Sequence, residues 1–269
     1  MLIRPGRSSG NLIDRRGSGG GRRVGLGGLG IGGVVLLLIG AFFGVDVTGL
    51  IGGGGAGVAV EQDEQAVRDP QDEGARLVDA VLVETEEVWG GLYRQAGDVY
   101  PEPDLVLYTG STPTACGYGQ AATGPFYCPS DQTVYLDLSF FQQLRRMGAQ
   151  GDFAVAYVIA HEVGHHVQNV EGLLGRTRSN AMSVRTELQA DCLAGVWAHH
   201  ARGAEGRIEL TEADIESGIS AAAAVGDDAI QRGAGQAVRP ESFTHGSSRQ
   251  RVGAFLSGYR GGDYAVCFG

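Results

Sequence analysis

The chain has 269 residues and a mass of 28.1 kDa, enough for one sizeable folded domain with an attachment segment but not for two independent cores. Hydrophobic residues at 43% and charged residues at 19% exclude a wholly disordered chain, and 46 glycines beside 8 prolines without a G-X-Y period exclude collagen. The formal net charge of −10 is unevenly spread: Arg4, Arg7, Arg15, Arg16, Arg22 and Arg23 face only Asp14 before residue 24, a local +5 that leaves −15 downstream, so a nucleic-acid groove in the main body is excluded.

In chain order, residues 1–23 read as a basic cytoplasmic tail. Residues 24–45 carry no charge and include the apolar run Ile31 to Phe43, long enough for a single transmembrane helix anchored in the lipid bilayer. Eight glycines in that window weaken the helix, although membrane helices tolerate glycine. The arginines before it place that end in the cytoplasm and the rest of the chain outside. A cleaved signal peptide is the rival reading, but the nearest small-residue site, Gly57 to Ala59, lies well beyond the apolar run. The four cysteines, Cys116, Cys128, Cys192 and Cys267, are an even number, as suits an oxidising compartment. Cys116 with Cys128 would close a short loop and Cys192 with Cys267 would tie the C-terminal tail to a helix; the sequence leaves all three pairings open, and buried free thiols as well.

Residues 46–74 have no apolar period and read as a flexible acidic linker, so the main domain is expected at 75–269. Leu77, Val78, Val81, Leu82, Val88, Trp89, Leu92 and Tyr93 recur at three- and four-residue steps, which predicts an amphipathic helix of about twenty residues. Asp104 to Tyr108 and Thr133 to Leu138 are β-favouring runs that bracket a turn-rich cysteine loop. Helical patterns then cover residues 151–168 and 183–200, and Thr211 with Asp214 opens a third. The predicted class is α+β, helix-dominated, with a small sheet and one N-terminal transmembrane helix.

Chemistry concentrates in two of those helices. His161, Glu162 and His165 form H-E-x-x-H. Residues four apart share a helical face, so the two imidazoles can converge on one ion, while Glu162, turned about 100° away, is placed to act as a base on a bound water. Two histidines and a glutamate in an apolar helix are costly unless paired or metallated. A catalytic zinc site wants three protein ligands. Glu187, in RTELQADCLAGVW, is the candidate third ligand, and Asp191 at i+4 can orient a ligating imidazole from behind. His166 lies off the His161/His165 stripe and reads as a structural contact, and His199 and His200 as complements to a helix dipole.

The strings GPFYCPSDQTVYLDLSFF, YVIAHEVGHHVQ, RTELQADCLAGVWAH and PESFTHGSSRQR together resemble the bacterial putative neutral zinc metallopeptidase family, over most of the chain. More widely they are similar to zincins with a glutamate third ligand, such as thermolysin. That resemblance implies a zincin-like domain holding one Zn²⁺ on His161, His165 and Glu187, with Glu162 as the catalytic base and Asp191 behind the site. It also implies a downstream oxyanion residue, for which His245 is the candidate, with Arg249 or Arg251 as alternatives; a helix-capping role for His245 stays equally open. The expected activity is endopeptidase cleavage of a peptide or protein substrate in the cell envelope, with Thr133 to Leu138 as a sheet edge for the substrate. The alternatives are a non-enzymatic envelope scaffold with structural zinc, and hydrolysis of a non-peptide envelope amide.

Overall fold

Asp72 starts the first long helix by accepting a hydrogen bond from the Ala75 amide at 2.9 Å, and Gly97 ends it in the left-handed region with φ 85°. This helix, α1 (Glu73–Ala96), buries the apolar stripe expected of it. The computed structural model describes residues 1–17, 72–174, 179–203 and 206–268. The expected anchor at 24–45 and all but the last residues of the expected linker therefore lie outside the described residues. Among the described residues no helix is long and apolar enough to cross a membrane.

Among the described residues six more α-helices follow: α2 (Phe140–Arg146), α3 (Asp152–Val170), α4 (Asn180–Gly203), α5 (Glu212–Ala224), α6 (Asp227–Gly233) and α7 (Ser248–Gly261). Short strands are β1 (Leu2–Ile3), β2 (Leu12–Asp14), β3 (Asp104–Tyr108), β4 (Ser111–Thr114), β5 (Gly117–Gln120), β6 (Phe126–Cys128), β7 (Thr133–Asp137) and β8 (Ile208–Glu209). The class is α+β and helix-dominated, with three small sheets where one was expected: β2-β3-β7-β6, the hairpin β4-β5 and the pair β1-β8. The reciprocal bonds between Thr211 and Asp214 that the sequence suggested do open α5.

In the main sheet β2, β3 and β7 run parallel and β6 is antiparallel. Side chains alternate across it. Leu105, Leu107, Val134 and Leu136 face the helices, while Val106, Tyr108, Tyr135 and Cys128 form a second cluster on the opposite face. Both faces are covered, which is why β3 and β7 read as nearly continuous apolar runs. The strand proposed as a free edge, Thr133 to Leu138, is instead internal, flanked by β3 and β6; the edge strands are β2 and β6.

Residues 1–17, expected as a free tail, belong to this architecture. β2 extends the sheet beside β3 and β1 pairs with β8. Three of the arginines that suggested a basic tail are used in ion pairs: Arg16 reaches Asp14 and Asp72, Arg7 reaches Glu86, and Arg4 reaches Glu209.

Helix α3 is the axis of the core, with fifteen of its 19 residues buried. It is enclosed by α1, α4, α5 and the sheet. Across α4 from it, α7 makes a backbone-to-backbone contact: a Cβ on Gly258 would lie 1.9 Å from the Cys192 carbonyl oxygen, and one on Gly195 2.0 Å from that of Phe255. Of the three cysteine pairings open from sequence, the structure has Cys116–Cys128 and Cys192–Cys267. The second spans a separation of 75 residues, and closing so long a loop restricts the unfolded chain by roughly 4 kcal/mol on the chain-entropy account. His199 and His200 serve the same junction, donating to the carbonyls of Tyr259 in α7 and of Gly262, its C-cap, at 2.7 Å each rather than to the end of their own helix.

The α4–α7 contact gives a stability prediction. Gly258→Ala has no room for its methyl group and should destabilise the domain by about 3 kcal/mol, at the upper end of overpacking costs. Gly253→Ala, where a Cβ meets nothing within 4 Å, should be neutral or slightly stabilising in the same denaturant titration.

Candidate metal centre

Why Glu187 can reach the H-E-x-x-H histidines is a matter of backbone packing. Gly164, between Glu162 and His165, faces α4, and a Cβ there would stand 2.9 Å from the Ala190 carbonyl oxygen. Glycine thus lets α3 and α4 approach closely where their functional residues lie. His161 Nε2 is 3.2 Å from Glu187 Oε2, and His165 Nε2 is 3.5 Å from Glu187 Oε1. One donor atom from each of the three lies within 4.8 Å of the others.

The far ring nitrogens fix the tautomers. His161 Nδ1 donates to Asp191 Oδ1 at 2.9 Å, and His165 Nδ1 donates to Gln168 Oε1 at 2.8 Å. The Gln168 amide is oriented by its own donations to Thr186 O at 2.8 Å and Gln189 Oε1 at 2.7 Å. Both Nε2 lone pairs are consequently turned toward a carboxylate. Once deprotonated, the two imidazoles and the carboxylate offer three converging lone-pair donors, so the residues fit a divalent metal with nitrogen and oxygen preference, as zinc has.

Behind His161 lies a buried polar network. Asp191 is fully buried. It accepts from Tyr157 Oη at 2.5 Å, from Arg251 Nε at 2.8 Å and from Arg251 Nη2 at 2.9 Å. Burial alone would raise the Asp191 carboxyl, but Arg251 first and His161 next hold it down to about 2. Burial likewise opposes a charged His161, yet Asp191 and then Glu187 outweigh it and lift the imidazole to about 10 when only protons compete for the site. A metal ion must displace that proton.

Glu162 is buried and lines the same cavity, whose volume is about 500 Å³. His245 lines it too, from the loop between α6 and α7. Its position is set by Asp227, the first residue of α6. Asp227 Oδ2 accepts from the amides of Thr244, His245 and Gly246 at 2.7–3.0 Å, and Oδ1 pairs with His245 Nδ1 at 3.1 Å. Burial lowers the His245 pKa, but Asp227 more than restores it, so the net direction is upward. The capping role left open for His245 belongs to Ser247, which accepts from the Gln250 amide to start α7.

The two arginine alternatives separate. Arg249 is exposed, whereas Arg251 is buried with its guanidinium committed to Asp191. His166 is the structural residue expected, bonded to Tyr127 Oη at 3.0 Å and to the Pro101 carbonyl at 2.6 Å. Sequence reasoning missed Tyr157, Gln168, Asp227 and the Arg251 clamp. The first two carried a signal: Tyr157 is four residues before His161 and Gln168 three after His165, on the same helical stripe. Asp227 and Arg251 are brought in by long-range packing that no local spacing announces.

A family model described as "Putative neutral zinc metallopeptidase" matches residues 1–269. The chain is 44% identical over 279 residues to "Uncharacterized protein YpfJ" of Escherichia coli (strain K12), covering 97% of this chain and 96% of that one. It is 43% identical over 206 residues to "Uncharacterized protein Rv2575" of Mycobacterium tuberculosis (strain ATCC 25618 / H37Rv), covering 71% and 70% respectively. No solved structure matches.

Two measurements check the centre. Asp191→Ala should weaken zinc binding roughly 10- to 100-fold in a competition titration, the usual effect of losing the partner of a ligating imidazole, and Glu187→Ala should weaken it further. Wild-type affinity in both, with circular dichroism unchanged, would remove α4 from the site. Because the metal-free His161 holds its proton through neutral pH, zinc affinity should climb by roughly tenfold per unit from pH 6 to 8 on account of this residue. Calorimetry in buffers of different ionisation enthalpy would then record proton release.

Proposed function

The chain belongs to the neutral zinc metallopeptidase family, and on that premise we propose that it is a zinc-dependent endopeptidase with Glu162 as general base. The observation that carries this reading is the convergence of two histidine nitrogens and one carboxylate at the floor of an open cavity that Glu162 also lines. Three protein donors with an accessible remaining position are the arrangement of catalytic rather than structural zinc, where four protein ligands close the site.

His161, His165 and Glu187 would hold the ion, which when bound supplies Lewis acidity toward a carbonyl and lowers the pKa of a water to about 7. Glu162 takes the proton from the attacking water and passes it to the departing amine. His245, with Nδ1 held by Asp227, presents Nε2 to the negative charge that develops on the carbonyl oxygen. Tyr157 and Arg251 keep Asp191 ionised and in place, so that His161 stays in the Nδ1–H tautomer.

An extended peptide would add to β6, whose Phe126 and Tyr127 line the cavity. Peptide or protein is the substrate class we propose. We place the domain outside the cytoplasm, in the cell envelope; support comes from its two disulfides, a pattern of oxidising compartments.

Glu162→Gln should abolish hydrolysis in a peptide-library digest while keeping full zinc content, because it removes a base and not a ligand. His165→Ala should lose the metal itself. Equal zinc loss in the two variants would make Glu162 a ligand. His245→Asn should lower kcat by about 10²-fold or more with little change in KM, the range for removal of a transition-state donor.

A further inference from the structure

The N-terminal segment answers a need of α1. That helix buries Asp79 and Glu86 at 5% and 2% exposure, and a buried carboxylate is costly without donors. Among the described residues, Glu86 Oε1 accepts from Ser9 Oγ and from Asn11 Nδ2 at 3.0 Å, and the Arg7 guanidinium forms an ion pair with Oε2 at 3.0 Å. Asp79 accepts from the Ser9 amide at 2.9 Å and from Arg207, which also donates to the Arg7 carbonyl. Removing residues 7–11 would strand Glu86 and half-strand Asp79.

The segment is then stitched into the sheet. Leu12 is buried, and β2 aligns Leu12, Ile13 and Asp14 with Leu105, Val106 and Leu107. Backbone bonds run from Leu105 N to Asn11 O and from Arg15 N to Leu107 O, each 2.8 Å. Asp14, buried at the end of the strand, is paired with Arg16, whose other nitrogen meets Asp72 at 2.6 Å. Asp72 is the N-cap of α1. One guanidinium therefore bridges the end of the first described segment, at Asp14, and the start of the next, at Asp72.

We infer that residues 1–17 and residues 72–268 occupy the same side of any membrane this protein meets, so that the apolar run at 24–45 does not carry the chain across once. A single crossing would put Arg16 and Asp72 on opposite sides of about 30 Å of hydrocarbon, and no strand pairing or ion pair of 2.6 Å survives that. The sequence-based orientation, tail inside and domain outside, counts the arginines of residues 4–16 as solvated cytoplasmic charge. Three of them are instead paired within the domain, Arg4 with Glu209, Arg7 with Glu86 and Glu87, and Arg16 with Asp14 and Asp72, which weakens that premise. Any contact that the intervening residues make with the bilayer begins and ends on the domain's own side. This inference does not depend on peptidase activity.

The test uses the full chain and two single cysteines at exposed positions, Ser8→Cys and Val99→Cys, with the wild type as blank because no native cysteine is free among the described residues. A membrane-impermeant maleimide is applied to intact spheroplasts and again after lysis. Equal behaviour of the two positions, both labelled before lysis or both only after it, is the expected result; one position labelled before lysis and the other only after it overturns the inference. A second measurement reads docking directly. Deleting residues 2–11 from the full chain should lower the thermal unfolding midpoint of the domain by more than about 5 °C, since a buried carboxylate loses its donors. An unchanged midpoint would show an independent tail and also overturn the inference.

Discussion

The close approach of α3 and α4 at Gly164 is the constraint on which the site depends. Two histidines four apart on one helix face can present two nitrogens to a common point, but a third donor must come from elsewhere, at a distance set by backbone separation and not by side-chain reach. A β-carbon at Gly164 would meet the Ala190 carbonyl at 2.9 Å, so any larger residue pushes α4 outward and takes Glu187 with it. The same logic repeats one layer out. Gly195 and Gly258 let α7 lie against the far side of α4, and that contact delivers Arg251 to Asp191. Two successive glycine-mediated contacts thus set the ligand and then the group that supports it.

The electrostatics follow from that layering. Asp191 is fully buried, where an isolated carboxylate would be protonated. Arg251 supplies a bidentate counter-charge and Tyr157 a further donor, so the carboxylate stays ionised and can only accept from His161. An acceptor on Nδ1 turns the Nε2 lone pair toward Glu187. Gln168 performs the neutral version of the same task for His165. The two imidazoles are thereby supported unequally, one by an anion and one by an amide. The anion-backed His161 is lifted to about 10, so it is a residue whose proton a metal has to displace.

What could be read from the sequence follows the range of the signal. Helices with strong 3.6-residue periodicity, α1 and α3 above all, were legible to within a few residues, as were β3 and β7. So were His161, Glu162, His165, Glu187 and Asp191, because each pair is fixed by spacing within one helix. The hairpin β4-β5 and β6 were not: Gly117, Gly119 and Gly124 interrupt any alternation, and these short strands are held by pairing and by the Cys116–Cys128 bridge. Asp227, which holds His245, sits at the start of α6, and its partners lie 17 to 19 residues on. Nothing periodic links them.

The packing of the N-terminal segment was not legible for a different reason, and the reason is general. Composition treats an arginine as solvated charge, so six of them before an apolar run read as an orientation signal. Here Arg7 and Arg16 meet carboxylates on or beside α1, whose own sequence hides the demand: Asp79 and Glu86 fall among apolar neighbours and read as the polar face of an amphipathic helix. In the folded domain they are buried. A helix that buries acids on a face it should expose needs a partner segment bearing donors, and the chain supplies one in residues 7–11. The hydrogen-bond demand of α1 and the charge pattern of residues 4–16 are therefore two halves of one interaction, which sequence reading assigned to opposite sides of a membrane.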